Sequence, residues 1–431
     1  MKEFQYLRDM TYEYNADIGL SYASPVRGVW NIVHIGTLVP EAHQIFVCPT
    51  SCLRGVVLTT AEMGAMEKMS TITVSEDNIL EGDMEEALQR GTERVIAQLP
   101  ERPRAMLIFT SCIHHFLAVN YQRVYRVLRK EYPDIDFIDC YMDPIMRRKS
   151  PPVPSLWRQI HRLLPKTEKR ADQVNLAGNC FVYGEFCDLN ALLEKSGIKV
   201  MDVNTCKTYD EFLSMGASCA VFTFHNTARA AGKDMELRLG QKWIALNPGY
   251  DFDMIDADLR KAASVLSIAP PDGEEILRQR QLTTEEIEKT RQQLKDTPLS
   301  IDYTAVDRPL ELALFLSEHG FRVETLFLDN FTESEEVFEK LKERLPDLKI
   351  YQSLGWNIRK MERGFDGKIV AVGQKSAYFH NTDYFVNIVE NEGMYGYRGI
   401  RRLMQLIREA DAEAKPMRQL VQVKGWGCSC G

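Results

Sequence analysis

The chain alternates short, continuously apolar runs with longer amphipathic stretches, and this alternation constrains its fold more than any other feature. Runs such as Ala105–Thr110 (AMLIFT) and Ala220–Phe224 (AVFTF) carry apolar side chains on both faces, as strands covered on both sides of a sheet must. Between such runs, stretches such as Met84–Leu99 and Arg308–His319 space their apolar residues at the helical period. Strand–helix–strand order predicts parallel sheets layered with helices, which is the α/β class.

Three such modules follow one another. The first has helices over Met84–Leu99 and Ala118–Glu131 and strands at Gln44–Val47, Ala105–Thr110 and Ile135–Tyr141. A basic connector then carries Pro151, Pro152 and Pro154, which are expected to interrupt regular structure. The second module has strands at Val174–Ala177, Lys199–Val203, Ala220–Phe224 and Trp243–Leu246, with helices over Asp188–Ser196 and Ala228–Leu239. A Gln-rich helical stretch, Thr283–Lys295, reads as a surface connector. The third has helices over Arg308–His319, Glu333–Leu345 and Gly399–Ala410 and strands at Arg322–Leu328, Leu348–Tyr351 and Lys368–Val372. The expected domains are 1–170, 171–296 and 297–431, a division that suits 431 residues.

Charge excludes one class of partner. With 53 Lys and Arg against 61 Asp and Glu, the net charge of −8 offers no basic face for phosphate contacts, so no nucleic acid is expected. No apolar run approaches the ~20 residues of a membrane span, and the first residues lack a signal-peptide core, so a cytoplasmic protein without membrane contact is expected. The chain has no G-x-G-x-x-G after a strand, no G-x-x-x-x-G-K-[ST] and no H-E-x-x-H. Neither dinucleotide binding by the usual loop nor ATP hydrolysis by the chain itself is expected.

Ten cysteines in such a chain are not a disulfide framework, because the cytosol keeps thiols reduced. Cys140 and Cys219 lie inside apolar runs and read as small buried hydrophobes, as do Cys180, Cys187 and Cys206 near segment ends. Cys48, Cys52 and Cys112 differ: each directly follows an apolar strand-like run, in Ile45-Phe-Val-Cys-Pro-Thr-Ser-Cys52 and in Leu107-Ile-Phe-Thr-Ser-Cys112. In open parallel sheets, ligands bind beyond the carboxyl ends of strands. Thiolates placed there suit iron–sulfur clusters or zinc, although the spacing alone also fits a redox pair or plain packing.

The order of motifs resembles one family. Pro49-Thr-Ser-Cys52 is similar to the P-x-x-C loop of nitrogenase component 1 and the nitrogenase-like reductases, a group that includes the N and B subunits of dark-operative protochlorophyllide reductase. Thr110-Ser-Cys112 is similar to the family's T-[ST]-C loop. Ser75-Glu-Asp-Asn-Ile-Leu-Glu-Gly82 resembles the segment between those loops, Gly178…Gly184…Asp188 resembles a strand–glycine loop–helix, and Gly396-Tyr-Arg-Gly399 resembles the start of the last helix. The resemblance implies three Rossmann-like domains and an iron–sulfur cluster, [4Fe-4S] or larger, shared with a second component 1-type subunit, identical or related. It implies low-potential electrons from a separate ATP-hydrolysing iron protein, used to reduce a substrate the sequence does not name. It also implies cluster ligation by Cys52 and Cys112, with the substrate cavity lined by Thr223–Arg229, Asn247–Tyr250 and Gly373–Tyr378.

The chain departs from the family twice. The first cluster cysteine should fall near residues 21–24, where the sequence is Ser-Tyr-Ala-Ser, and Cys48 is the extra thiol expected to take its place. The cysteine that holds the molybdenum–iron cofactor should fall where Phe224 and His225 stand, so dinitrogen reduction is not expected. Cys428 and Cys430, in a Gly-rich tail, read as a redox pair, extra ligands or a disordered end. Two other functions stay open at this level: a scaffold for metallocofactor assembly, and a cluster-free α/β binding protein.

Overall fold

The computed structural model describes residues 3–12, 22, 24–26, 28–142 and 151–421. Among these, fourteen strands make three sheets. Strand β1 (Phe4–Tyr6) belongs to the last of them. Strands β2 (Ala42–Cys48), β3 (Met69–Thr73), β4 (Ala105–Thr110) and β5 (Asp136–Tyr141) form a parallel sheet in the order β3-β2-β4-β5. Strands β6 (Arg170–Leu176), β7 (Lys199–Asp202), β8 (Ser218–Thr223) and β9 (Lys242–Ala245) form a second, in the order β7-β6-β8-β9. Strands β10 (Leu299–Asp302), β11 (Val323–Phe327), β12 (Lys349–Tyr351), β13 (Val370–Val372) and β14 (Phe385–Val386) are joined by β1 in the order β1-β12-β11-β10-β13-β14. Only β1 runs antiparallel, with Phe4 opposite Tyr351.

The chain divides into two compact units. One, Trp30–Val182 with Gly197–Leu246, contains both four-stranded sheets. The other, Met1–Val29 with Tyr183–Ser196 and Asn247–Gly431, contains the six-stranded sheet.

The double-sided apolar runs do what their pattern requires. Along β2 and β4 successive side chains point to opposite faces. Phe46, Leu107 and Phe109 enter one core with Ile138, while Ile45, Val47, Met106 and Ile108 enter another with Phe137. Phe46 and Phe109 stack with ring centroids 4.5 Å apart. Each such side chain contributes about 1.5–3 kcal/mol by leaving water, and both faces are needed to make these strands central.

Three expectations need correction. The prolines at 151–154 do not break structure: Pro152 opens the helix Pro152–His161, where a first-turn residue needs no N–H. That helix buries Leu156, Trp157 and Ile160 against the same core as Phe46. The Gln-rich stretch is no simple surface connector either. It belongs to the helix Gly273–Leu294, capped by the Asp272 carboxylate at Glu275 N–H, and its Thr283 and Thr290 accept from Arg401 and Arg408 of the helix Gly396–Ala412. Finally, four strands are not expected from the sequence: β1 and β14, whose three and two residues show no period, and also β3 and β10.

His161 gives the unit of two sheets a pH dependence. Its Nδ1 lies 2.7 Å from the Trp157 carbonyl oxygen, and burial pushes the imidazole down to about 4. The folded state keeps the ring neutral while the unfolded chain protonates it near pH 6.5. The stability it confers is therefore present above pH 6.5 and lost as pH falls toward 4, by at most about 1.4 kcal/mol per pH unit. Urea midpoints at pH 7, 5.5 and 4.5 should fall in that order, and His161→Gln should flatten the decline; an equally steep decline in the variant would remove His161 from the explanation.

Candidate functional site: the cysteine edge and a buried lysine

Strands β2 and β4 are adjacent, parallel and central, and Val47 pairs with Thr110. Their carboxyl ends therefore reach the same edge of the sheet at nearly the same height. Cys48 closes β2, Pro49 follows with φ −58° and ψ 152°, and Thr50 already starts the helix Thr50–Glu62. Strand and helix are thus joined by Pro49 alone, because proline's fixed φ ends a strand and pre-shapes a helix entry. Cys52 sits in the first helical turn, its N–H donating to the Pro49 carbonyl at 2.9 Å. Ser111 precedes the short helix Cys112–Phe116, which begins with the third thiol.

The three thiols are not equivalent. Cys52 is exposed and Cys112 half-buried, whereas Cys48 is fully enclosed in the core that contains Phe46 and Phe109. Burial pushes the Cys48 thiol up to about 12, and the neighbouring Cys52 and Cys112 add to the rise. The pairing of β2 with β4 brings the segments that carry the three thiols to the same edge. Yet among the described residues no three His, Cys, Asp or Glu side chains converge on a point where one metal ion could be held. The chain thus presents two accessible thiols at one edge, with a third behind them. His114 is buried beside this edge; its Nδ1 lies 3.3 Å from Ser111 Oγ, and burial pushes the ring down to about 4.

The loop after β3 reaches the same edge. Ser75 and Asn78 form a capping box for the helix Glu76–Glu81, within the stretch that resembles the family segment between the cysteine loops. Leu80 is 83% exposed, Phe116 69% and Leu117 45%, apolar side chains left in water after β3 and β4. Residues 21 and 23, where the family's first cysteine is expected, lie outside the described residues, and so do Cys428 and Cys430. Cys140 is buried at the β5 strand, and Cys187 is buried at the start of the helix Asp188–Lys195. Cys219, expected to be buried, is partly exposed on β8 with its Sγ 3.6 Å from the Ala171 carbonyl.

The six-stranded sheet carries a second cluster, in the segment Gly373–Tyr378 that was expected to line the substrate cavity. Strands β10 and β13 are neighbours, and the chain leaves β10 toward β11 but β13 toward β14, in opposite directions, which is where α/β sheets open a ligand crevice. At this carboxyl edge Lys375 is buried, and its Nζ donates to Tyr303 Oη at 2.8 Å and Ser353 Oγ at 3.0 Å. Ser353 in turn donates to Asp329 Oδ2 at 2.8 Å. Asp302, fully buried and with its carboxyl raised by burial, accepts from Ser376 N–H at 2.9 Å. The signal was legible as Val370-Ala-Val-Gly-Gln-Lys-Ser, a strand, a glycine and a lysine at a helix start. In the other unit, Phe224 and His225 are both buried at the end of β8.

Comparison with known proteins agrees with this architecture. The family model described as Nitrogenase component 1 type Oxidoreductase matches residues 33–411. A solved structure described as Nitrogenase Cp1 at pH 6.5 superposes with a TM-score of 0.65 at 12% identity, covering 94% of this chain and 96% of that one. Another, Nitrogenase Cp1 at pH 5, gives 0.58 at 13% identity over 93% and 90%. No curated protein sequence matches the chain. Among the described residues no helix is long and apolar enough to cross a membrane. The chain belongs to the nitrogenase component 1 type oxidoreductase family.

Proposed function

We propose that this chain is the cluster-carrying component of a nitrogenase-like oxidoreductase, which holds an iron–sulfur cluster between two component 1-type subunits and takes electrons from a separate ATP-hydrolysing iron protein. The observation that carries the reading is the pair of accessible thiols, Cys52 and Cys112, at the adjacent carboxyl ends of β2 and β4. Two thiolates fit half of a four-thiolate cluster and cannot complete one, so the remaining ligands come from a second subunit. In a two-fold pair of identical chains the same two residues, doubled, supply all four. The exposed Leu80, Phe116 and Leu117, on the segments that follow β3 and β4, suit burial against that subunit.

When bound, such a cluster supplies reversible one-electron transfer at low potential. The chain's own residues define its surroundings. Cys52 and Cys112 hold it from one side, and the covering subunit excludes water. Cys48, buried behind them, packs the core and keeps its proton. Cys48→Ala should therefore retain the iron of the wild type and lower stability by about 1 kcal/mol through the lost sulfur packing. Iron lost in Cys48→Ala, at unchanged secondary structure, would return Cys48 to the ligand set. Lys375, buried and bonded to Tyr303 Oη and Ser353 Oγ, supports reading this edge of the six-stranded sheet as the substrate-facing part of the unit.

Oligomeric state tests the reading. Sedimentation of the anaerobically purified, iron-loaded protein should give a dimer or larger assembly, and a stable iron-loaded monomer would overturn the shared-cluster reading. Turnover with reductant, ATP and the partner iron protein separates an enzyme from an assembly scaffold.

A further inference from the structure

The unit with the six-stranded sheet contains a cavity of about 440 Å³ that neither the cluster nor Lys375 uses. Its walls are the helices Asp188–Lys195, Phe252–Leu266 and Gly273–Leu294, closed by the loop around Pro270 and by Tyr397 and Arg398. The volume falls within the range of small-molecule sites, and the lining has their usual character, mostly apolar with a few polar groups. Leu192, Leu259, Ile276, Pro270 and Pro271 supply the apolar walls.

The charges around the cavity decide what it takes. Asp188 accepts from the Arg398 N–H at 3.2 Å and lies 3.3 Å from Arg398 Nε. Asp256 accepts from the Tyr397 hydroxyl at 2.8 Å and from Arg280 at 2.5 Å. Glu275 accepts from Gln279 at 2.7 Å and has Arg278 at 3.8 Å. Every lining carboxylate thus has a donor or a cation within the protein. Among the described residues, Lys195 is the lining charge left without a hydrogen bond or ion pair. It stands two turns along its helix from Asp188, about 10 Å away, so the cavity runs from a neutralised polar end to an unpaired ammonium.

We propose that this cavity binds a small molecule with an apolar body and a single carboxylate, the body lying against Leu192, Leu259 and Ile276 and the carboxylate pairing with Lys195. A cation is disfavoured because the acids are already paired. A neutral ligand leaves Lys195 unused.

Calorimetric titration of the full-length protein with decanoate, decanol and decylamine tests this. Decanoate should bind saturably and decylamine should not. Lys195→Glu should weaken decanoate by about tenfold through charge reversal while leaving decanol unchanged. Ala191→Phe, which fills the cavity from a partly exposed position, should abolish binding of both; Ala269→Trp in the loop serves the same purpose if the first variant does not fold. No saturable binding of decanoate, equal binding of decylamine, or binding that survives the filled cavity would overturn the proposal. None of these substitutions touches Cys52 or Cys112, so iron content reports separately on the cluster.

Discussion

Replacing Cys52 or Cys112 with alanine is expected to remove most of the iron from the anaerobically purified protein, the largest effect of any single substitution proposed here. Each variant deletes one of the two thiols that the chain presents at the edge of β2 and β4. In a symmetric pair each deletion removes two ligands of four, which a cluster does not survive. Neither side chain is part of the core, because Cys52 is exposed and Cys112 half-buried, so the loss of iron should come without loss of fold. Cys140→Ala and Cys219→Ala are the controls. Cys140 is buried within β5, and Cys219 lies on β8 of the second sheet, so both variants should keep wild-type iron. Full iron occupancy in Cys52→Ala and Cys112→Ala would remove these residues from the ligand set.

The second large effect is expected at Gly373, where β13 hands over to the helix Gln374–His380. Its φ of +113° is one that residues with a side chain rarely adopt. A Cβ there would stand 2.2 Å from Asp302 Oδ2 and 2.9 Å from the Ala305 Cβ, both fully buried. Backbone strain and overpacking act together, so Gly373→Ala should destabilise the protein by about 3 kcal/mol in urea unfolding. Gly240→Ala is the comparison: φ is +77° but nothing lies within 4 Å, so only the left-handed penalty of about 1 kcal/mol applies. Equal midpoints for the two variants would show that the packing beneath Gly373 is looser than described. Gly373→Ala should also displace Asp302 from Ser376 and disturb the Lys375 cluster while leaving iron bound to the other unit.

How much of this was legible in the sequence depended on whether one short segment contained the whole signal. Strand β4 was read to the residue, because Ala105–Thr110 is apolar on both faces and bounded by a proline-bearing turn and a polar Ser111. The helices over Met84–Gln98 and Pro309–Glu318 were read to within a residue at each end for the same kind of reason. Strand β1 was not, since three residues acquire strand geometry only by pairing with β12, more than 340 positions away. Pro152 misled because proline both breaks and begins helices, and its neighbours' burial decides which. The cysteine edge was legible in outline. The difference between Cys48 and Cys52 was not, because the strand end and the helix start are separated by Pro49 alone, and burial changes completely across it. Lys375 was within reach as a lysine after a strand and a glycine, but its burial against Tyr303 and Ser353 depends on three strands far apart in the chain.

The central claim is that two chains share one cluster through Cys52 and Cys112, and iron and acid-labile sulfide analysis of the anaerobically purified wild-type protein tests it most directly. A [4Fe-4S] cluster held between two identical chains predicts about two iron and two sulfide per chain, with broad visible absorbance that reductant bleaches. Protein that is folded, purified without oxygen and free of iron and sulfide would contradict the account and leave the thiols at the edge of β2 and β4 without a cluster to hold.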